Sequence, residues 1–211
     1  TEPTPLTHSL THSLAPQVVY AAAALPVVFN KTEVTQRYVS GHSDSVTALA
    51  MHPGGVFVAT GQKGASPCVI VADSLTGVVV GKFLGGPDDA SAAYGAVSAV
   101  AFSSDGNLLA FTTQDEGSNT LFVYSWREAA LKAKVASGPD KVMALAFSPD
   151  SSQLLSCGVD HFSLWAVSGR GVSKKRGIFG PGAIKQTLLS CCWIPPIGEE
   201  GTAVAVMGAA E

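Results

Sequence analysis

Charge is scarce in this sequence: 14% of its 211 residues are Asp, Glu, Lys or Arg, with 13 cations against 16 anions. A formal net charge of −3 excludes a broad electrostatic surface for nucleic acid. The 46% hydrophobic content excludes a disordered polyelectrolyte. Cysteine is scarce too. Cys68, Cys157, Cys191 and Cys192 show neither the CxxC spacing of a zinc site nor a disulfide framework, and they read as reduced thiols of an intracellular protein. Adjacent Cys191 and Cys192 on a strand would point to opposite faces. Long apolar runs are missing: "APQVVYAAAALPVVF" has 15 residues and two prolines, too short and too broken to span a bilayer, and reads as two buried strands. No secretory signal is visible. The chain begins at Thr1 rather than Met, so its natural N-terminus is expected to lie upstream.

The motifs of chemistry are absent as well. There is no phosphate-cradling GxxxxGK and no HExxH. "GHSDS" supplies His42, Ser43 and Asp44, but three near neighbours on one loop do not converge as a triad. "GQKGAS" at Gly61 is a hairpin turn by position. His8 and His12, four apart in "THSLTHSL", read as a local duplication rather than a metal pair. The expectation is therefore a protein that is not an enzyme, without cofactor, metal or small-molecule substrate.

What the sequence does have is a phrase used three times. "VTALAMHPGG" begins at Val46, "VSAVAFSSDG" at Val97 and "VMALAFSPDS" at Val142. Each alternates apolar residues and then breaks at a turn cluster. Short β-rich runs follow each one: 46–51, 56–61, 68–73 and 78–83; then 97–103, 108–113, 121–126 and 130–136; then 142–148, 153–157, 162–167 and 172–178. Turn-forming residues, among 22 glycines and 12 prolines, separate them. The starting valines are 51 and 45 residues apart, and Leu189 follows Val142 by 47. Four strands in such a period are the signature of a WD40-like β-propeller blade. The predicted fold is all-β: about three full blades, with parts of two flanking ones. Residues 1–14 are expected to form an extended arm or linker, 15–40 a partial first blade, 41–83, 84–136 and 137–180 the full blades, and 181–211 the start of another. Three blades plus edge strands do not close a ring and leave open edges. The chain is thus expected to be part of a longer polypeptide. Small Ala144 and Ala146 would let blades approach near the axis while Leu145 and Phe147 fill the wedge; which set faces which neighbour stays open.

Hallmarks of the repeat occur in split sets. Gly41-His42 matches the Gly-His before a blade's first strand, but that unit lacks the tryptophan. Asp160 and Trp165 fall at the turn aspartate and the tryptophan of another unit, which has Ser137-Gly138 in place of Gly-His. His42, Ser156, Asp160 and Trp165 are therefore assigned structural roles in pinning the blades.

Particular phrases resemble the echinoderm microtubule-associated-protein-like family. They are Leu49-Ala50-Met51-His52-Pro53, Ala59-Thr60-Gly61-Gln62, Cys157-Gly158 with His161 and Trp165, and Lys175-Arg176-Gly177-Ile178-Phe179-Gly180. The likeness runs from about Val18 to Trp193. It departs in lacking the aromatic-rich motif that precedes the first propeller of that family, a coiled coil, and the length of two joined propellers. The resemblance implies a structural scaffold on the microtubule cytoskeleton, with tubulin and other microtubule-associated proteins as partners. With the N-terminal arm it points to ciliary or flagellar doublets. The alternative is a general adaptor assembling a signalling, ubiquitin-ligase or RNA-processing complex. No nucleic-acid or membrane partner is expected. Contact with acidic tubulin would fall to Lys174, Lys175 and Arg176, the densest cation run, with Lys185 nearby in sequence; Lys132, Lys134 and Lys141 form a lesser group.

Overall fold

The computed structural model describes residues 17–84, 94–115, 117, 119–169, 171–194 and 204–209. The arm expected at residues 1–14, with His8 and His12, lies outside the described residues. Everything regular within them is strand. Sheet one is β1 (Gln17–Ala22), β2 (Leu25–Asn30) and β3 (Thr35–Tyr38). Sheet two runs β4 (Val46–Met51), β5 (Phe57–Gln62), β6 (Val69–Asp73), β7 (Val79–Phe83). Sheet three is β8 (Tyr94–Phe102), β9 (Leu108–Asp115), β10 (Asn119–Ser125) and β11 (Ala130–Gly138). Sheet four is β12 (Val142–Phe147), β13 (Gln153–Gly158), β14 (His161–Ser168) and β15 (Gly171–Arg176), and β16 (Leu188–Ile194) pairs with β17 (Val204–Ala209) as sheet five. All pairings are antiparallel between consecutive strands. Three four-stranded blades with a partial sheet on either side make an incomplete propeller.

The repeated phrase forms the innermost strand of each blade. β4, β8, β12 and β16 lie side by side, and each begins with a bulge at the same place: between Val46 and Ala48, Val97 and Ala99, Val142 and Ala144, and Leu188 and Ser190. This register aligns Leu188 with Val142, one residue earlier than sequence spacing alone suggests. The bulge rotates the strand so that its two flanks meet different neighbours. Ala48 and Ala50 of β4 pack against the cluster holding Val100 and Phe102 of β8. Ala99 and Ala101 of β8 meet Leu145 and Phe147 of β12 in the next cluster. Small residues therefore face the following blade and large ones the preceding blade. Trp193 continues the large set, donating its indole N–H to the Ala146 carbonyl at 3.0 Å. The same large positions on β4, Leu49 and Met51, remain 36% exposed.

Close approach leaves its mark on β5. A methyl built on Gly61 would lie 2.7 Å from Cβ of Val97 and closer still to one of its methyls. Only a residue without Cβ lets the second blade sit so near the third.

The Ser-x-Asp ends of two phrases explain themselves. Ser103 and Ser148 each donate to the Asp two residues on and accept the N–H of the strand that follows, from Leu108 at 2.8 Å and Gln153 at 2.9 Å. The Ser148 hydroxyl, with the Ser152 hydroxyl and N–H, holds the Asp150 carboxyl down at about 2. In the first phrase His52 replaces the serine. Its Nδ1 accepts from Gly54 N–H at 3.0 Å, and Nε2–H donates across the blade boundary to Gly106 O at 3.1 Å. Trp126 donates to the same carbonyl at 2.8 Å. Phe57, Phe102 and Trp126 ring His52 edge-on, with Arg127 over the Trp126 face at 4.4 Å. At the next boundary Ser104 donates to Ser148 O at 2.8 Å and Asp105 N–H to Ser151 Oγ at 3.0 Å. The first turns of the three full blades are thus tied one to the next at one mouth of the arc.

Two outcomes follow from this packing. Gly61→Ala should cost about 1–3 kcal/mol in denaturant unfolding, and Val97→Ala in the same chain should give a double mutant less destabilised than the sum. Burial lowers the pKa of His52 and of His42, so each takes up its proton at lower pH when folded than in the unfolded chain, which protonates near pH 6.5. The unfolded state then binds more protons below that pH, so stability should be level above it and fall beneath it. Unfolding measured from neutral to mildly acid pH should show that decline, flattened in His52→Gln.

Candidate protein-interaction site

At the mouth opposite the tied turns, the loop before β4 meets the β5–β6 hairpin and the loop before β12 meets the β13–β14 hairpin. His42 follows Gly41, which has φ 117°. The imidazole donates from Nδ1 to Gln62 Oε1 at 2.8 Å, and Nε2 receives the Thr60 hydroxyl at 2.7 Å. Gln62 is fully used: its oxygen also takes Ser43 N–H at 3.1 Å, and its amide donates to Ser43 Oγ at 2.9 Å and Ser66 O at 2.8 Å. Two phrases distant in sequence, Gly-His and Ala-Thr-Gly-Gln, therefore close one network. Ala72 occupies the register position that Trp165 holds two blades on, and Gln62 supplies the fixation that a tryptophan would. Nothing local in sequence marks Gln62 for this role; its link to His42 exists only across strands.

Trp165 is completely buried and donates Nε1–H to Ser156 Oγ at 2.8 Å. Asp160 contributes through its backbone, at φ 55° in the β13–β14 turn; its side chain is exposed and holds no hydrogen bond or ion pair among the described residues. Gly138, at φ 118°, matches Gly41 in conformation, so Pro139 rather than Gly138 takes the histidine's place in this blade. Lys174 ties the gap instead: its ammonium donates to Ser137 O and lies 5.1 Å from the centre of the Trp165 ring. Burial, and then Arg176, lowers the Lys174 pKa.

The cation run is therefore divided. Lys174 and Arg176 share one face of β15, and Lys175 points from the other; the three side chains are exposed to different partners. Lys185 is exposed on the 177–187 loop, and no interaction among the described residues joins it to the β15 cations. Of the lesser group, Lys132 pairs with Glu128 at 3.7 Å, Lys134 lies over the Tyr94 and Phe122 rings, and Lys141 is exposed. The 177–187 loop adds what sequence reading missed: Ile178 and Ile184 are 88% and 81% exposed, bracketing a stretch with Lys185 at its end. Phe179 is turned inward, edge-on to Phe162. Exposed branched aliphatics beside cations suit a protein partner rather than a small ligand.

No group of three or more His, Cys, Asp or Glu is arranged to hold a metal among the described residues. The hydrogen bond to Cys157, and burial, push the Cys191 thiol well above its usual range, keeping it protonated. Trp165→Ala should lose about 3–5 kcal/mol, as large-to-small core changes do, and calorimetry of the variant checks it. Lys174→Glu should also lower the melting temperature, whereas Lys175→Glu should not.

The WD domain, G-beta repeat family matches residues 33–71 and 132–162. Human echinoderm microtubule-associated protein-like 4 is 32% identical over 179 residues, 78% of this chain and 17% of that protein. Human echinoderm microtubule-associated protein-like 1 is 32% identical over 173 residues, 77% of this chain and 21% of that protein. The chain thus spans about a fifth of the length of the curated relatives it matches. A chain in a crystal structure of the mitotic checkpoint complex superposes with a TM-score of 0.66 over 90% of this chain and 56% of its own, at 20% identity, a likeness of fold alone. Bulged inner strands, the His42–Thr60–Gln62 closure and these relatives agree: the chain belongs to the echinoderm microtubule-associated-protein-like family of WD-repeat proteins.

Proposed function

We propose that this chain is part of a non-enzymatic scaffold that binds microtubules, placed on the cytoskeleton and, more narrowly, on the doublets of a cilium or flagellum. The observation that carries the reading is identity to relatives named for microtubule association across more than three quarters of the chain. Tubulin presents an acidic surface, and a net-acidic chain must meet it locally. The exposed 177–187 loop with Ile178, Ile184 and Lys185, beside Lys175 on β15, offers apolar contact and positive charge together. The blades behind it are packed core to core, so the loop is held on a stiff support. That is what an attachment platform needs, since little entropy is lost on docking.

Co-sedimentation of the full-length polypeptide with polymerised tubulin tests this. It should pellet at low salt and less at high salt, because exposed charge pairs are screened over about 10 Å. Ile178→Ser with Ile184→Ser, and Lys175→Glu with Lys185→Glu, should each reduce pelleting several-fold without changing the melting temperature. A protein that stays in the supernatant at both salt concentrations is a general adaptor instead.

A further inference from the structure

The cleft between sheets three and four holds a cavity of about 200 Å³ bordered by the Lys174–Ser137 tie. Lys174 and Arg176 reach it from β15, His161 and Ser163 from β14, and Ser137 and Asp140 from the crossing out of β11. The cations share a face because they stand two apart on a strand. Lys174 spends one N–H on Ser137 O and keeps two. His161 is held by Nδ1–H donating to Val159 O at 2.9 Å. Ser137 and Ser163 are buried to 3% and 1% exposure, yet neither hydroxyl has a hydrogen-bond partner among the described residues. Two buried hydroxyls left idle are costly in a purely structural cleft.

We propose that this cavity binds a single carboxylate side chain presented by an acidic peptide segment. Lys174 and Arg176 supply charge-assisted donors, the guanidinium in its two-pronged geometry. The two serine hydroxyls take up hydrogen bonds to the bound group. Asp140 at the wall balances one of the two cations, leaving one uncompensated positive charge of the Lys174–Arg176 pair. That matches a monoanionic carboxylate better than a phosphate dianion, and 200 Å³ accommodates one glutamate side chain. The site deepens the microtubule reading and rests on it only for the source of the acidic segment.

Calorimetric titration of the full-length polypeptide with hexaglutamate, hexaglutamine and inorganic phosphate at physiological ionic strength tests it. Hexaglutamate should bind and hexaglutamine should not. Arg176→Gln should weaken binding roughly tenfold, the scale of one charge-assisted hydrogen bond, and Lys31→Gln, an exposed cation in the β2–β3 turn, less than about twofold. Ser137→Ala and Ser163→Ala should move two readouts in opposite directions, raising the melting temperature and weakening the peptide. Equal losses from Lys31→Gln and Arg176→Gln would mean a diffuse field and overturn the site, as would serine variants that bind with full strength. Phosphate binding more tightly than the peptide would overturn the carboxylate assignment. If the chain binds hexaglutamate yet stays in the supernatant with microtubules, the cavity stands and the microtubule reading falls. If Arg176→Gln loses no affinity for the peptide while the parent pellets with microtubules, the cavity alone falls.

Discussion

The distance at which neighbouring inner strands pass is the constraint on which the rest depends. β4, β8 and β12 carry alanines on the flank toward the following blade, and β8, β12 and β16 carry Val, Leu, Phe or Trp on the flank toward the preceding one. Large side chains from one sheet fill the room that small ones leave on the other, the interdigitation on which close packing depends. The two faces of a blade are unlike, and the contact between blades is head-to-tail. Gly61 shows how little slack exists: its missing Cβ is where Val97 of the next blade sits. The apolar alternation therefore sets the order of stacking and not only the burial.

Much of this was written locally. Inner-strand phrases recur at blade spacing, and turn residues mark every hairpin, so the four-strand rhythm and the all-β class are legible. Flank assignment was not, because alternation has period two in either register and only the shared bulge after Val46, Val97, Val142 and Leu188 selects one. That bulge also shifts the apparent match of Leu189 by one residue. His42 and Trp165 stood out by residue type. Gln62 did not, since its four hydrogen bonds reach residues on other strands and loops, and neither did His52, whose partner Gly106 lies in the next blade. The split hallmark sets signalled that each blade would be fixed differently, without saying by what.

What replaces the missing hallmarks is chemically varied. One blade closes on a histidine with threonine and glutamine; another closes on tryptophan with serine, backed by the lysine that leans over the indole. Lys174 is consequently both a packing element and a cation. Its stem covers the aromatic ring, as long basic side chains do, and its head is held by the Ser137 carbonyl. A run of three basic residues that looks uniform in sequence is divided by the strand's pleat into one side that serves the interblade cleft and one that faces outward.

The tied first turns carry a mechanical meaning. His52 reaches Gly106, Ser104 reaches Ser148 and the Asp105 amide reaches Ser151, so consecutive blades are stitched at the rim as well as glued at the flank. Each stitch involves only adjacent repeats, so cohesion is summed link by link as in other repeat proteins. A tug on any one sheet would load its two seams in parallel with the adjoining strands and be passed sideways from seam to seam. Such an arc behaves as a chain of hinged plates that resists bending at its doubly held joints, a material suited to lying on a surface that flexes.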